Sequence, residues 1–134
     1  MTGALRTVGA ITLFVEDLAG TTAFYREVFG LVPVFEDEHS AVVDLGNLLV
    51  NLLDVTQAPG LIAPGVVASR QSGARFQLTI WLDDVDAVCE ELRARGVTLL
   101  NGPMDRAWGQ RTALFADPAG HLWEVAETLA RPEG

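Results

Sequence analysis

Two stretches of this chain repeat each other, and that repeat limits the fold more than any other feature. Phe14-Val15-Glu16-Asp17-Leu18 matches Trp81-Leu82-Asp83-Asp84-Val85, roughly 67 residues further on. Asp44-Leu45-Gly46-Asn47-Leu48-Leu49-Val50-Asn51 matches Asp117-Pro118-Ala119-Gly120-His121-Leu122-Trp123-Glu124 in kind and in order. A period of that length is too long for a solenoid unit. It predicts two halves with the same sequence of elements, each a sheet whose apolar face needs a cover.

The local patterns agree. Val8 to Glu16 alternates as a strand, and Asp17 is placed to cap a helix over Leu18–Phe29, which Gly30 stops. Val32–Glu38, Ala41–Leu45 and Leu48–Asp54 then read as three short strands. Thr56 to Gly73 holds Pro59, Gly60, Pro64, Gly65 and Gly73 and reads as a long loop of the kind that is functional or linking. The pattern then restarts: a strand over Arg75–Leu82, a helix capped by Asp83 or Asp84 and running through Ala94, and a strand over Val97–Leu100. Last comes a hairpin around Asp117-Pro118-Ala119-Gly120, where Pro118 fixes φ and Gly120 takes the positive φ. The fold class is therefore α+β: one domain over 1–134, with repeat units at about 8–54 and 75–127 joined by 55–74.

Charge and composition narrow the partners. A formal charge of −9, with 18 acidic residues against nine arginines and no lysine, argues against nucleic acid or an anionic membrane. Met1 to Ala10 lacks a signal-peptide pattern, and no apolar run approaches the roughly 18 residues of a membrane span. The single cysteine, Cys89, falls on the buried stripe of the second helix and reads as a packing residue. These features predict a cytoplasmic protein without an intramolecular disulfide.

The motifs Val15-Glu16-Asp17-Leu18, Ala23-Phe24-Tyr25-Arg26-Glu27-Val28-Phe29-Gly30-Leu31 and Asp117-Pro118-Ala119-Gly120-His121-Leu122-Trp123-Glu124 resemble the vicinal-oxygen-chelate superfamily. That superfamily includes glyoxalase I, bleomycin-resistance proteins and extradiol dioxygenases. With the repeat, the resemblance spans about Val8 to Glu127. It implies two βαβββ units forming a cup-shaped mixed sheet with helices outside, commonly completed as a homodimer. It also implies four ligand positions inside the cup in the metal enzymes, which fall here on Ala10, Asn51, Gln77 and Glu124.

That set is poor in donors. Alanine has none, and asparagine and glutamine offer neutral carbonyls, weak toward divalent transition metals. Glu124 alone is a strong ligand, whereas a catalytic centre normally takes about three from the protein. His39 and His121 both read as exposed turn histidines. The expectation is no metal and no cofactor.

Strand parity then gives the lining. With Ala10 inward, Thr12 and Phe14 are inward; with Asn51, Leu49 and Leu53; with Gln77, Thr79 and Trp81; with Glu124, Leu122 and Ala126. The opposite parity (Ile11, Leu13, Val15, Leu78, Ile80, Leu82) is uniformly apolar. Trp108, beside Gly109 in a loop, is placed to join Trp81 in stacking on a planar ligand. Arg111 is a surface arginine with Glu124 or a ligand anion as its other possible partners.

The ligand-binding candidates are Thr12, Phe14, Asn51, Gln77, Thr79, Trp81, Trp108 and Glu124. They suggest a metal-free protein that sequesters an aromatic, cationic small molecule, as antibiotic-resistance members of the superfamily do. The competing expectation is an enzyme: a divergent metal-dependent lyase or dioxygenase, or a metal-free isomerase with Glu124 as base. No serine-histidine-aspartate order, phosphate loop or dinucleotide fingerprint is present.

Overall fold

The computed structural model describes residues 5–130. Its first helix, α1 (Leu18–Phe29), begins where Asp17 accepts a hydrogen bond from the Gly20 backbone N–H at 3.0 Å. It ends at Gly30, whose left-handed backbone lets its N–H reach the Tyr25 carbonyl. Both ends satisfy backbone groups that a helix terminus otherwise leaves unpaired. The equivalent helix, α3 (Val85–Ala94), is capped by Asp84, which accepts from the Ala87 N–H at 3.0 Å. Glu127 accepts from the Val85 N–H at 2.9 Å and so ties the same helix end to the last strand.

The chain divides after Ser69 into two units. In the first, β1 (Ala10–Val15), β2 (Phe35–Glu36), β3 (Ser40–Asp44) and β4 (Leu49–Asp54) form a sheet in the order β1-β4-β3-β2. In the second, β5 (Gln77–Trp81), β6 (Asn101–Asp105), β7 (Gln110–Ala116) and β8 (Leu122–Thr128) form a sheet in the order β5-β8-β7-β6. The edge pairs β1–β4 and β5–β8 are parallel, and the rest are antiparallel. The two sheets therefore have one topology, as the repeat requires.

Each unit has its own core on the helix side of its sheet. Leu13, Val15, Tyr25, Val43, Val50 and Leu52 fill the first, all at most 1% exposed. Val85, Cys89, Leu92, Phe115, Trp123 and Val125 fill the second. Burying each large apolar side chain contributes on the order of 1.5–3 kcal/mol, before the entropy of ordering it is set against that.

Two expectations change. The last-but-two strand is Asn101–Asp105 and not Val97–Leu100; only Leu100 reaches the ladder, donating its N–H to the Leu114 carbonyl. The 56–73 loop is not structureless: Val55–Gln57 and Arg70–Ser72 are 3₁₀ turns, and Pro59–Ile62 is a one-turn helix, α2, with proline at its start. Among the described residues, no helix is long and apolar enough to cross a membrane.

Candidate functional site

Register places the second unit's candidates in rows on the face of its sheet that carries no helix. One row runs Trp81, Ala126, Thr112, Met104 across β5, β8, β7 and β6. The next runs Thr79, Glu124, Leu114, Asn101, and the third runs Gln77, Leu122, Ala116. Partners opposite one another in a ladder share a face, so Gln77, Thr79, Trp81 and Glu124 stand together as strand parity predicts. Trp81 is 64% exposed, while Trp123, one residue from Glu124 and on the other face, is 1% exposed.

Glu124 is held by the Thr79 hydroxyl, which donates to Oε1 at 3.0 Å. The hydroxyl fixes one carboxylate oxygen and leaves the other free to accept from a ligand donor. Around this pair the strand positions are apolar (Leu122, Ala126, Leu114). The donor chemistry does not fit a catalytic metal: on this sheet the second expected ligand position, Gln77, offers Glu124 only a neutral carbonyl, and the first unit's two positions are an alanine and an asparagine. Among the described residues no group of three or more His, Cys, Asp or Glu is placed to hold a metal ion.

Trp108 lies in the turn between β6 and β7, 66% exposed, its indole N–H donating to Gln110 Oε1 at 3.0 Å. The turn is closed by the Arg106 N–H to the Gln110 carbonyl at 2.7 Å. Arg106 itself folds back over the sheet. Its Nε donates to Thr112 Oγ1 at 2.9 Å, and its guanidinium lies 5.6 Å from the centroid of the Trp108 ring. Thr112, in Trp81's row, is buried beneath it.

Sequence reasoning missed Arg106 and weighed Arg111 in its place. Arg111 pairs in register with Glu127, on the face opposite Glu124. It bonds Asp105 at 2.7 Å and Asp86 of α3 at 2.9 Å. These bonds hold the Asp105 carboxyl below its ordinary range and raise the already high pKa of Arg111. Arg111 therefore ties helix to sheet and is no partner of Glu124. The available signal for Arg106 was a cation two residues before a turn tryptophan.

In the first unit, Thr12 and Asn51 are partners across β1 and β4, with Asn51 Nδ2 donating to Thr12 Oγ1 at 3.5 Å. Phe14 is opposite Leu53 on the same helix-free face. The three candidates of this half thus share a surface. A cavity of about 340 Å³ lies elsewhere, beside α1, lined by Leu18, Thr22, Arg26, Glu36 and Glu38. Arg26 bonds Glu36 at 2.9 Å there, and Asp37 is spent on the N–H groups of His39 and Ser40.

His39 is the half-exposed turn residue expected, 3.3 Å from Glu38. His121 is not. Its ring bonds the buried Asp117 carboxylate at 2.8 Å, and its side chain is 14% exposed. Asp117 also accepts from the Ala119 and His121 N–H groups, so the pair locks the β7–β8 turn. Cys89 is fully buried, and burial pushes its thiol up.

The family model described as Glyoxalase/Bleomycin resistance protein/Dioxygenase superfamily matches residues 7–125. A protein of Bacillus subtilis (strain 168), YraH, is 31% identical over 125 residues, covering 89% of this chain and 96% of that one. A crystal structure of a glyoxalase/bleomycin resistance protein/dioxygenase from Nocardioides aligns with a TM-score of 0.85 at 24% identity, covering 98% of this chain and 90% of that one. Lactoylglutathione lyase from Agrobacterium tumefaciens aligns with a TM-score of 0.70 at 25% identity, covering 91% and 93%.

Proposed function

The chain belongs to the Glyoxalase/Bleomycin resistance protein/Dioxygenase superfamily, and from that premise we propose that it is a metal-free member that binds and sequesters an aromatic small molecule. The ligand contacts are Gln77, Thr79, Trp81, Trp108 and Glu124 in the second unit, with Thr12, Phe14 and Asn51 as their counterparts in the first. The observation that carries this reading is Glu124: the one strong ligand among the superfamily's four positions, bonded to Thr79 and set in the row beside exposed Trp81. A carboxylate so held accepts from an amine or a hydrogen-bond donor on the ligand. The tryptophans supply stacking area. Antibiotic resistance by sequestration is the biological outcome this implies, in the cytoplasm.

A homodimer belongs to the same reading. Leu61 and Val66, 67% and 90% exposed, leave the 55–74 segment with apolar surface that a second copy would cover.

The test is direct. Purified protein titrated with a planar aromatic amine such as naphthylmethylamine should show saturable quenching of tryptophan fluorescence, weakened by Trp81→Ala. Elemental analysis of the same protein should show no stoichiometric nickel, zinc, iron or manganese. A stoichiometric metal, or no quenching by any such amine, would overturn the reading.

A further inference from the structure

We propose that Arg106 anchors an anionic group of the ligand, so that the molecule taken is an aromatic zwitterion of the amino-acid kind, not a simple aromatic amine. This inference rests on the ligand-binding reading above and deepens it.

Two arginines among the described residues are half-buried, Arg106 and Arg111. Both belong to the β6–β7 hairpin, and they are treated in opposite ways. Arg111 is neutralised by two carboxylates. Arg106 has a hydroxyl and an aromatic ring, and among the described residues no carboxylate within ion-pair distance. That is unexpected in a chain with 18 acidic side chains and nine arginines. Partial burial of a cation without a counter-ion is unfavourable unless something else supplies the negative charge.

The geometry says where that charge would come. Thr112 takes the Nε proton, so the terminal nitrogens of Arg106 make no side-chain hydrogen bond among the described residues. A guanidinium gripping an oxyanion with two parallel bonds uses nitrogens of this kind. Thr112 is one row from Glu124 on the neighbouring strand. Such diagonal neighbours are about 7–8 Å apart. Arg106 is bonded to Thr112, so a ligand whose α-ammonium meets Glu124 brings its own carboxylate toward the terminal nitrogens of Arg106. The aromatic side chain then has Trp108 and Trp81 at the same end of the sheet.

The experiment compares naphthylalanine with naphthylethylamine, the amine left when its carboxylate is removed, so that the two share ring, linker and ammonium and differ in the carboxylate. Fluorescence titrations use the intact protein and three variants: Arg106→Gln, Thr112→Val and, as a control of equal charge loss on the outer surface of α3, Arg93→Gln. The expected result is that naphthylalanine binds the unmodified protein about tenfold or more tighter than the amine. Arg106→Gln should erase that advantage, Thr112→Val should reduce it, and Arg93→Gln should leave it intact. In all three variants the amine's affinity should stay within about twofold, which also shows that they fold. Equal binding of the two probes, or an advantage surviving Arg106→Gln, would overturn this inference alone. Failure of both probes to bind would overturn it together with the binding reading.

Discussion

Arg106 and Arg111 leave one β-hairpin toward opposite faces of the same sheet. The first covers Thr112 on the helix-free side, and the second reaches Asp86 on the helix side. The hairpin thus separates a structural cation from one free to meet a ligand. Arg111 pairs with Asp105 at the end of the ladder and Arg106 follows in the turn, while β6 carries a bulge between Asn101 and Met104.

The structural half of that arrangement should be visible in acid. Arg111 depresses the Asp105 carboxyl below its ordinary value of 3.8, chiefly through their hydrogen bond. A carboxylate depressed in the folded state stabilises it above the unfolded pKa, and that contribution is lost as pH falls through the folded value. The Asp37 and Asp54 carboxyls act in the same direction, each lowered first by a backbone N–H, of His39 and of Thr56. Asp105→Asn should therefore unfold at lower urea than the unmodified protein at pH 7. The gap should narrow below about pH 4 and close once both states bind the proton. A gap independent of pH would contradict the assignment.

Gly102 is the residue that the bulge cannot replace. Its φ is +79°, and a Cβ there would run into the Thr112 carbonyl oxygen and the Ala113 Cα. Gly46 also has positive φ, at +94°, but open space around it. Gly102→Ala should cost roughly 2–4 kcal/mol, from strain plus collision, and Gly46→Ala only about 1–2 from strain. Urea midpoints of the two variants check this. Equal losses would mean that the close approach is not limiting.

What was legible in the sequence was what is decided locally. α1 has the predicted bounds because Asp17 and Gly30 act on their own neighbours. Strand parity held across β1, β4, β5 and β8 because a period of two leaves no freedom once one face is apolar. What was not legible was decided at a distance. The run Val97–Leu100 looks more like a strand than Asn101-Gly102-Pro103-Met104-Asp105, yet β6 forms where β7 offers partners. Arg106 was invisible because strand parity has no meaning in a turn. His121 was misjudged because its partner Asp117 is buried by packing that spacing does not encode.

Thr79 and Glu124 should act as a unit. Replacing Glu124 by Gln should weaken naphthylmethylamine by about tenfold, the worth of a charged hydrogen bond. Thr79→Val should weaken it less, since it frees the carboxylate without removing it. In the double variant the two losses should add to less than their sum, because without the carboxylate the hydroxyl has no anion to orient. Fully additive losses in a double-mutant cycle would show that the 3.0 Å bond has no part in binding.

Cys89 gives a readout that separates local from global opening. It is fully buried against the second sheet, and desolvation raises its pKa above the ordinary 9.0, with the Arg93 cation opposing. Both burial and the smaller thiolate fraction suppress attack, because the thiolate is the nucleophile. At pH 8 the native protein should resist a disulfide reagent for as long as α3 stays docked, and react at once in urea. Asp84→Ala removes the α3 N-cap, worth about 1 kcal/mol, and should speed native-state labelling about fivefold if exposure requires that helix to lift. Unchanged labelling in that variant would show that the thiol is reached by another route.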